Sequence, residues 1–324
     1  MRRLICFILM LCCMGSLFAG CGKEAEEGGS KETTQPTEPS VPRVTGKEAL
    51  QGKKVLFIGN SYTFFGNAVL HKGYQVLSQA ERSNDEGYFY QVCKANGVDV
   101  SVTNFTFGSH HTTDIIGERC EAERDCDGEY HKYFLKDASF DYVCIQPYSE
   151  KKYDGDLVAH LQPIVDFFRA ANPDVQFLLV VPHMAYDKNY EWTKDIEAAE
   201  KAGYIICDWG KMLDDVVKGN TTVPGATLSY NRNSFVVTKD GHHENLLVGY
   251  LTSLMVYSAI TRESAQGQNY AFCDDSTIKS SFDIEKFRQN NYNNINETNF
   301  VEAFRSEADM QGFQKLIDQY LEIQ

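Results

Sequence analysis

The chain has 324 residues, a formal net charge of −14 at pH 7 and a hydrophobic fraction of 43%. That length gives one large domain or two small ones, with enough apolar residues for a sizeable core. The acid excess argues against a nucleic-acid surface and is compatible with neutral sugars or esters as substrates.

Arg2 and Arg3 precede an apolar run from Leu4 to Phe18, followed by Ala19-Gly20-Cys21. A basic start, a short apolar core and small residues at a cleavage point make a secretory signal over residues 1–20. The run is shorter than the roughly 20 apolar residues of a membrane span. "LFAGC" resembles the lipid-attachment box of bacterial lipoproteins, with Phe18 where an aliphatic residue is usual. On that reading Cys21 carries the lipid, which is the only membrane contact, and the protein sits at the bacterial cell surface. The alternative is plain secretion with Cys21 a bystander. Residues 21–51 are rich in Glu, Gly, Thr, Ser and Pro and nearly free of aromatics. Such a segment buries too little apolar surface to offset its ordering entropy, so it reads as a disordered tether. The folded domain is expected over 52–324.

From Lys53 onward short apolar runs alternate with helical patterns. The strands expected are 54–59, 99–105, 140–146, 175–181 and 204–209. Several are apolar throughout, as in strands covered on both faces of a parallel sheet. Helices are expected around 66–80, 85–96, 156–171, 190–203, 209–218, 244–261 and 308–322. Residues 221–240 read as a long loop, and the Asn-rich stretch 262–300 has no assignment. This alternation predicts an α/β fold, a doubly wound parallel sheet between two helical layers. In such folds ligands gather at the carboxyl ends of the strands, and Ser61 directly follows the first of them.

Six of the ten cysteines lie beyond the signal and Cys21. Cys144 and Cys207 sit in strand-like runs and read as buried free thiols. Cys120 and Cys126 either bridge a local loop in an oxidising compartment or stay reduced. No CxxC pair points to zinc.

The chemistry concentrates in two segments. "VLFIGNSYTFFGN" drives an apolar strand into Gly59-Asn60-Ser61. A serine hydroxyl is a weak nucleophile until a base, usually a histidine oriented by a carboxylate, takes its proton. Of the eight histidines, His71, His131, His160 and His183 show no partner pattern and read mostly as surface or packing residues. "KDGHHENLLVGYL" places Asp240 three residues before His243, ahead of a helix with the apolar stripe Leu246, Leu247, Tyr250, Leu251 and Leu254. A short turn there can fold the carboxylate onto Nδ1 and leave Nε2 facing a serine. The competing structural reading makes Asp240 the helix N-cap and His243 a first-turn residue. The adjacent pairs His110-His111 and His242-His243 point in different directions in extended chain and do not read as metal chelates.

"GNS" after the first strand, with "DxxH" before the last large helix, resembles the SGNH hydrolases, or GDSL-type esterases, over roughly residues 53–262. The resemblance implies their flavodoxin-like fold, no metal or cofactor, and a triad of Ser61, His243 and Asp240. It also implies an oxyanion hole from the backbone N–H groups of Ser61 and Gly108 and a side-chain amide after the third strand. "VCIQPYSE" departs from the family's "GxND" block and offers Gln146 there, a carboxamide on one more methylene. The implied activity is hydrolysis of acyl esters, acetyl above all, on carbohydrate. A lipid or thioester hydrolase, and a non-catalytic glycan- or solute-binding lipoprotein on the same fold, are the alternatives. Tyr62, Phe64, Phe65, Tyr148, Tyr186 and Trp209 stand near the expected rim, either to stack on sugar rings or to pack the core.

Overall fold

Five short runs form one parallel sheet, and those at 55–59, 142–145 and 177–180 are buried throughout, as strands covered on both faces are. A computed structural model describes residues 43–64, 66, 87–106, 139–147, 153, 155–182, 192–236, 241, 243–273 and 305–324. In chain order the elements are β1 (Lys53–Gly59), α1 (Ser61–Phe64), α2 (Tyr88–Ala95), β2 (Val100–Thr106), β3 (Tyr142–Ile145) and α3 (Leu157–Ala171). They continue with β4 (Gln176–Val180), α4 (Thr193–Lys201), β5 (Ile205–Cys207), α5 (Trp209–Lys218), α6 (Leu246–Thr261) and α7 (Glu307–Tyr320). Every expected strand is present, and the described helices other than the short α1 fall where the apolar periodicity puts them. The helix expected at 66–80, and Cys120 and Cys126, lie outside the described residues apart from Gly66.

The strand order is β2-β1-β3-β4-β5, with every pair parallel. This is the flavodoxin-like order of doubly wound α/β proteins. β1 is an interior strand: Phe57 pairs with Asn104 of β2 on one side and Cys144 of β3 on the other. Side chains alternate across the sheet, so Val55 and Phe57 join one core with Phe89, Leu251 and Met255. Leu56 and Ile58 join the other, with Leu161, Ile164 and Phe168. These two cores make the three layers of the α/β sandwich. Cys93, Cys144, Cys207 and Cys273 are all buried and unbridged.

Two expectations change. The polar segment taken as tether to residue 51 is packed before it ends. Gly46 N–H donates to the Thr261 carbonyl at 2.6 Å, a short turn spans Lys47–Ala49, and Ala49 and Leu50 are buried in the first core. Helix α6, expected to be amphipathic, is buried at all 16 positions. It lies in the first core with residues of α2, α5 and α7 around it. Two of its hydroxyls bond the helix itself, Ser253 Oγ donating to the Gly249 carbonyl at 2.8 Å and Thr261 Oγ1 to that of Tyr257 at 2.9 Å. A hydroxyl that bonds its own helix can be buried without an unsatisfied donor.

Helix α7 closes the domain through carboxylates. Ser306 caps it by accepting from Asp309 N–H. Asp309, itself fully buried, accepts from Thr227 N–H at 2.6 Å and Thr227 Oγ1 at 3.0 Å. Asp318 accepts from Ala265 N–H at 2.6 Å and Ser264 Oγ at 2.5 Å. Tyr320 donates to Asp215 of α5 at 2.5 Å.

Candidate active site

The topology singles out one place for a ligand. The chain leaves β1 for β2 on one side, then returns to β3 on the other. The crevice of such a sheet opens at this switch, beyond the carboxyl ends of β1 and β3. Ser61 follows β1 directly, and Gln146 follows β3.

The turn after β1 is built from its own side chains. Asn60 is buried. Its Oδ1 accepts from Tyr62 N–H at 3.1 Å, and its carbonyl accepts from Thr63 N–H at 2.9 Å. Asn side chains favour this local bond, which starts the one-turn helix α1. Asn60 therefore shapes the turn that holds Ser61, a half-buried residue at its head.

Gln146 is locked to the same turn. Its backbone N–H donates to the Ile58 carbonyl at 2.8 Å, extending the ladder by one rung. Its Oε1 accepts from Asn60 N–H at 3.1 Å and from Thr63 Oγ1 at 3.0 Å. Its Nε2 donates to the Pro147 carbonyl. Gly59 is required beneath this contact. A Cβ there would lie 2.9 Å from Gln146 Oε1 and 3.0 Å from Gln146 Cβ, and would press on the Thr63 hydroxyl.

The histidine segment is fixed by a separate set of bonds. Val236 and Glu244 form an antiparallel bridge, and Asn245 N–H donates to the Phe235 carbonyl at 3.0 Å. Asn245 caps α6, accepting from Val248 N–H at 3.3 Å, while its Nδ2 donates to the Ser234 carbonyl at 2.8 Å. Arg232 Nη2 donates to the Gly241 carbonyl at 3.0 Å, and Gly241 takes a left-handed φ of 68° that suits glycine. This disposes of the reading in which Asp240 caps the helix. Asn245 is the cap, and His243 lies in the turn before it, half-buried.

The two segments meet. The ring of Tyr62, next to Ser61, lies 5.3 Å from the ring of His243, tilted by 35°. Behind them Gly66 abuts Gly249 of α6. A Cβ on Gly66 would come within 2.7 Å of the Gly249 nitrogen and 2.8 Å of the Asn245 carbonyl oxygen. Among the described residues, Gln146 bonds Asn60 and Thr63, one on either side of Ser61, and His243 packs on Tyr62. Asp240, Gly108 and the lipidation candidate Cys21 lie outside the described residues, as do His242 and the His110-His111 pair.

Among the expected rim aromatics, Phe64 and Trp209 are core residues, each about 1% exposed. Phe65, Tyr148 and Tyr186 lie outside the described residues. His160 packs against Tyr153 with ring centroids 5.2 Å apart. Buried thiols offer no rival nucleophile at the sheet. Burial, then the neighbouring Cys207 and Cys93 thiols, push Cys144 well above the ordinary thiol range, and burial does the same to Cys273.

Thr63 and the Gly66–Gly249 contact were not foreseen. Thr63 stands two residues past the serine in a pattern with no periodic signal. Gly249 did leave a trace, since a glycine inside a helix is about 0.5–1 kcal/mol worse than alanine and so asks for a close approach.

No protein-family model matches the chain, and no curated protein matches it. Among solved structures it is similar to a DUF4886 family protein from Bacteroides uniformis, at 16% identity over 71% of this chain and 91% of that one, TM-score 0.45. It is also similar to a candidate GDSL-like lipase from Parabacteroides merdae, at 16% identity over 68% and 99% of the two chains, TM-score 0.43. An acetylxylan esterase from Geobacillus stearothermophilus shows 18% identity over 66% and 94%, TM-score 0.38. With these TM-scores below 0.5, the fold rests on the sheet order and the site on its own geometry.

Proposed function

We propose that the protein is a serine ester hydrolase of the SGNH type, acting on acetyl or similar small acyl esters of carbohydrate at the bacterial cell surface. The packing of His243 on Tyr62, the neighbour of Ser61, is the observation that carries the reading. It joins two distant sequence motifs at the crevice where a doubly wound sheet binds ligands.

Ser61 Oγ attacks the acyl carbon while His243 takes its proton. Asp240 orients the imidazole. The carbonyl π electrons move onto oxygen, and the backbone N–H groups of Ser61 and Gly108 and the Gln146 carboxamide stabilise the resulting oxyanion. The tetrahedral adduct collapses, the sugar alkoxide leaves, and His243 returns the proton to it. Water, deprotonated by His243, then attacks the acyl-serine. Collapse releases the carboxylic acid and returns the proton to Ser61. The substrate class and the surface location rest on the motif resemblance and on the lipoprotein-like N-terminus, with Cys21 as the lipidated residue.

The test is active-site labelling. The soluble domain is treated with a fluorophosphonate and digested, and the adduct is located by mass spectrometry. An adduct on Ser61, hydrolysis of p-nitrophenyl acetate, and loss of turnover in Ser61→Ala and His243→Ala support the reading. No adduct and no hydrolysis would overturn it in favour of a binding protein on the same fold. A panel of acetylated oligosaccharides against acyl lipids and thioesters then sorts the substrate.

A further inference from the structure

We propose that Thr63 is a positioning residue for acyl transfer, acting through Gln146; this rests on the serine-esterase reading above. A carboxamide has two ends of similar shape and opposite polarity. Only the nitrogen end can donate to an oxyanion. Something must therefore decide which end faces the acyl group, and the turn after β1 does so.

The amide oxygen of Gln146 receives two hydrogen bonds, from Asn60 N–H at 3.1 Å and Thr63 Oγ1 at 3.0 Å. Asn60 N–H carries no lone pair, so the atom opposite it must be an acceptor. A flipped amide would place NH2 against that donor and lose a buried hydrogen bond. The Thr63 hydroxyl adds the second bond and sets the roll of the amide plane. At the far end Nε2 donates to the Pro147 carbonyl, and this nitrogen is the end assigned to the acyl oxygen as it gains charge.

Thr63 is held in turn. It is buried, its N–H donates to the Asn60 carbonyl, and Gly59 leaves room for the three groups to meet. The serine and the amide donor are thus set by one turn. The hydroxyl that orients the donor is buried and lies two residues past the nucleophile.

The experiment compares Thr63→Val, Thr63→Ser and Thr63→Ala on p-nitrophenyl acetate, with thermal unfolding of each protein. Thr63→Val keeps the shape and removes the donor. Its kcat is expected to fall about tenfold, in line with one lost hydrogen bond, with KM unchanged. Thr63→Ser restores the donor and retains wild-type kcat. Should Thr63→Val not fold, Thr63→Ala carries the same expectation. Combining Thr63→Val with Gln146→Ala is expected to be no slower than Gln146→Ala alone, because the two act as one unit. Wild-type kcat in Thr63→Val, the reverse order with Val active and Ser impaired, or effects that multiply with Gln146→Ala would each overturn the assignment. A fluorophosphonate adduct on wild-type Ser61 separates the two failures. If it forms while Thr63→Val turns over normally, only the role of Thr63 is lost. If it never forms, the serine reading falls and takes this one with it.

Discussion

Gly66 and Gly249 touch backbone to backbone. A Cβ added to Gly249 would fall on the Gly66 carbonyl. This contact ties the chain just after the serine turn to the helix just after His243, where any side chain would hold the two apart.

Gly249→Ala therefore tests two opposed effects. Alanine in a helix interior gains about 1 kcal/mol over glycine. Overpacking a filled core costs about 1–3 kcal/mol, and here the obstacle is backbone, which no rotamer change relieves. The net expectation is destabilisation, read as a melting temperature lower by roughly 2–4 °C per kcal/mol. Turnover of p-nitrophenyl acetate is expected to fall further than the stability loss explains. A melting temperature at or above wild type would show that the two elements can part without cost.

Gln146→Glu separates the anchoring role of this side chain from its donor role. A glutamate keeps an acceptor for Asn60 N–H and Thr63 Oγ1 but loses the amide donor. A loss of about 10²–10³ in kcat is expected, as for removal of one oxyanion donor. Gln146→Leu additionally leaves both turn donors without an acceptor, at about 1–3 kcal/mol. Its urea midpoint should fall well below that of Gln146→Glu. Equal midpoints would mean that Gln146 does not hold the turn.

Asn245 serves the histidine segment twice, through the helix cap and the bond to Ser234. Asn245→Ala is expected to cost about 1–2 kcal/mol, since loss of a cap alone is typically about 1. Asn245→Asp keeps the acceptor and should recover much of the stability, though not the link to Ser234. Urea unfolding of both variants checks this. If alanine matched wild type, the cap would contribute nothing to seating α6.

Acid should loosen the carboxyl-terminal helix first. Burial works against the charged forms of Asp309 and Asp215. It is outweighed at Asp309 by bonds from Ser306, Thr227 and Leu228, and at Asp215 by bonds from Lys211, Tyr320 and Asn220. Both carboxyls are held below the usual range. A depressed folded pKa contributes stability that is complete above the unfolded value, about 3.9. That stability is lost as pH falls through the lower folded pKa. Melting temperature should thus drop below about pH 4. Asp309→Asn should melt lower at neutral pH and show a shallower acid limb. An unchanged acid limb in that variant would assign the pH dependence elsewhere.

The sheet could be read from residues alone because burial on both faces leaves an unmistakable composition: in β1, Val55 and Phe57 face one core and Leu56 and Ile58 the other. Helix α6 misled for the converse reason. The apolar stripe Leu246, Leu247, Tyr250, Leu251 and Leu254 implied one buried face, yet Ser253, Ser258 and Thr261 also lie within the core, and Ser253 and Thr261 bond their own helix. The start of the folded domain, expected at residue 52, was misjudged because two apolar residues, Ala49 and Leu50, make no periodic signal. At the site, Ser61 and His243 were visible through the chemistry their types allow. Thr63 and Gly66 act through packing and bond direction, which exist only once distant segments meet.

The interior place of β1 also bears on timing. Its first neighbour, β2, follows soon after it in the chain. Its second, β3, comes much later, and the helix bearing Gly249 later still. Contacts that span so much sequence form slowly. A newly made chain therefore has its serine in hand long before the segment that carries His243 can be seated beside it. Any activity that needs both waits on that late, long-range closure, and the fold acts as its own delay.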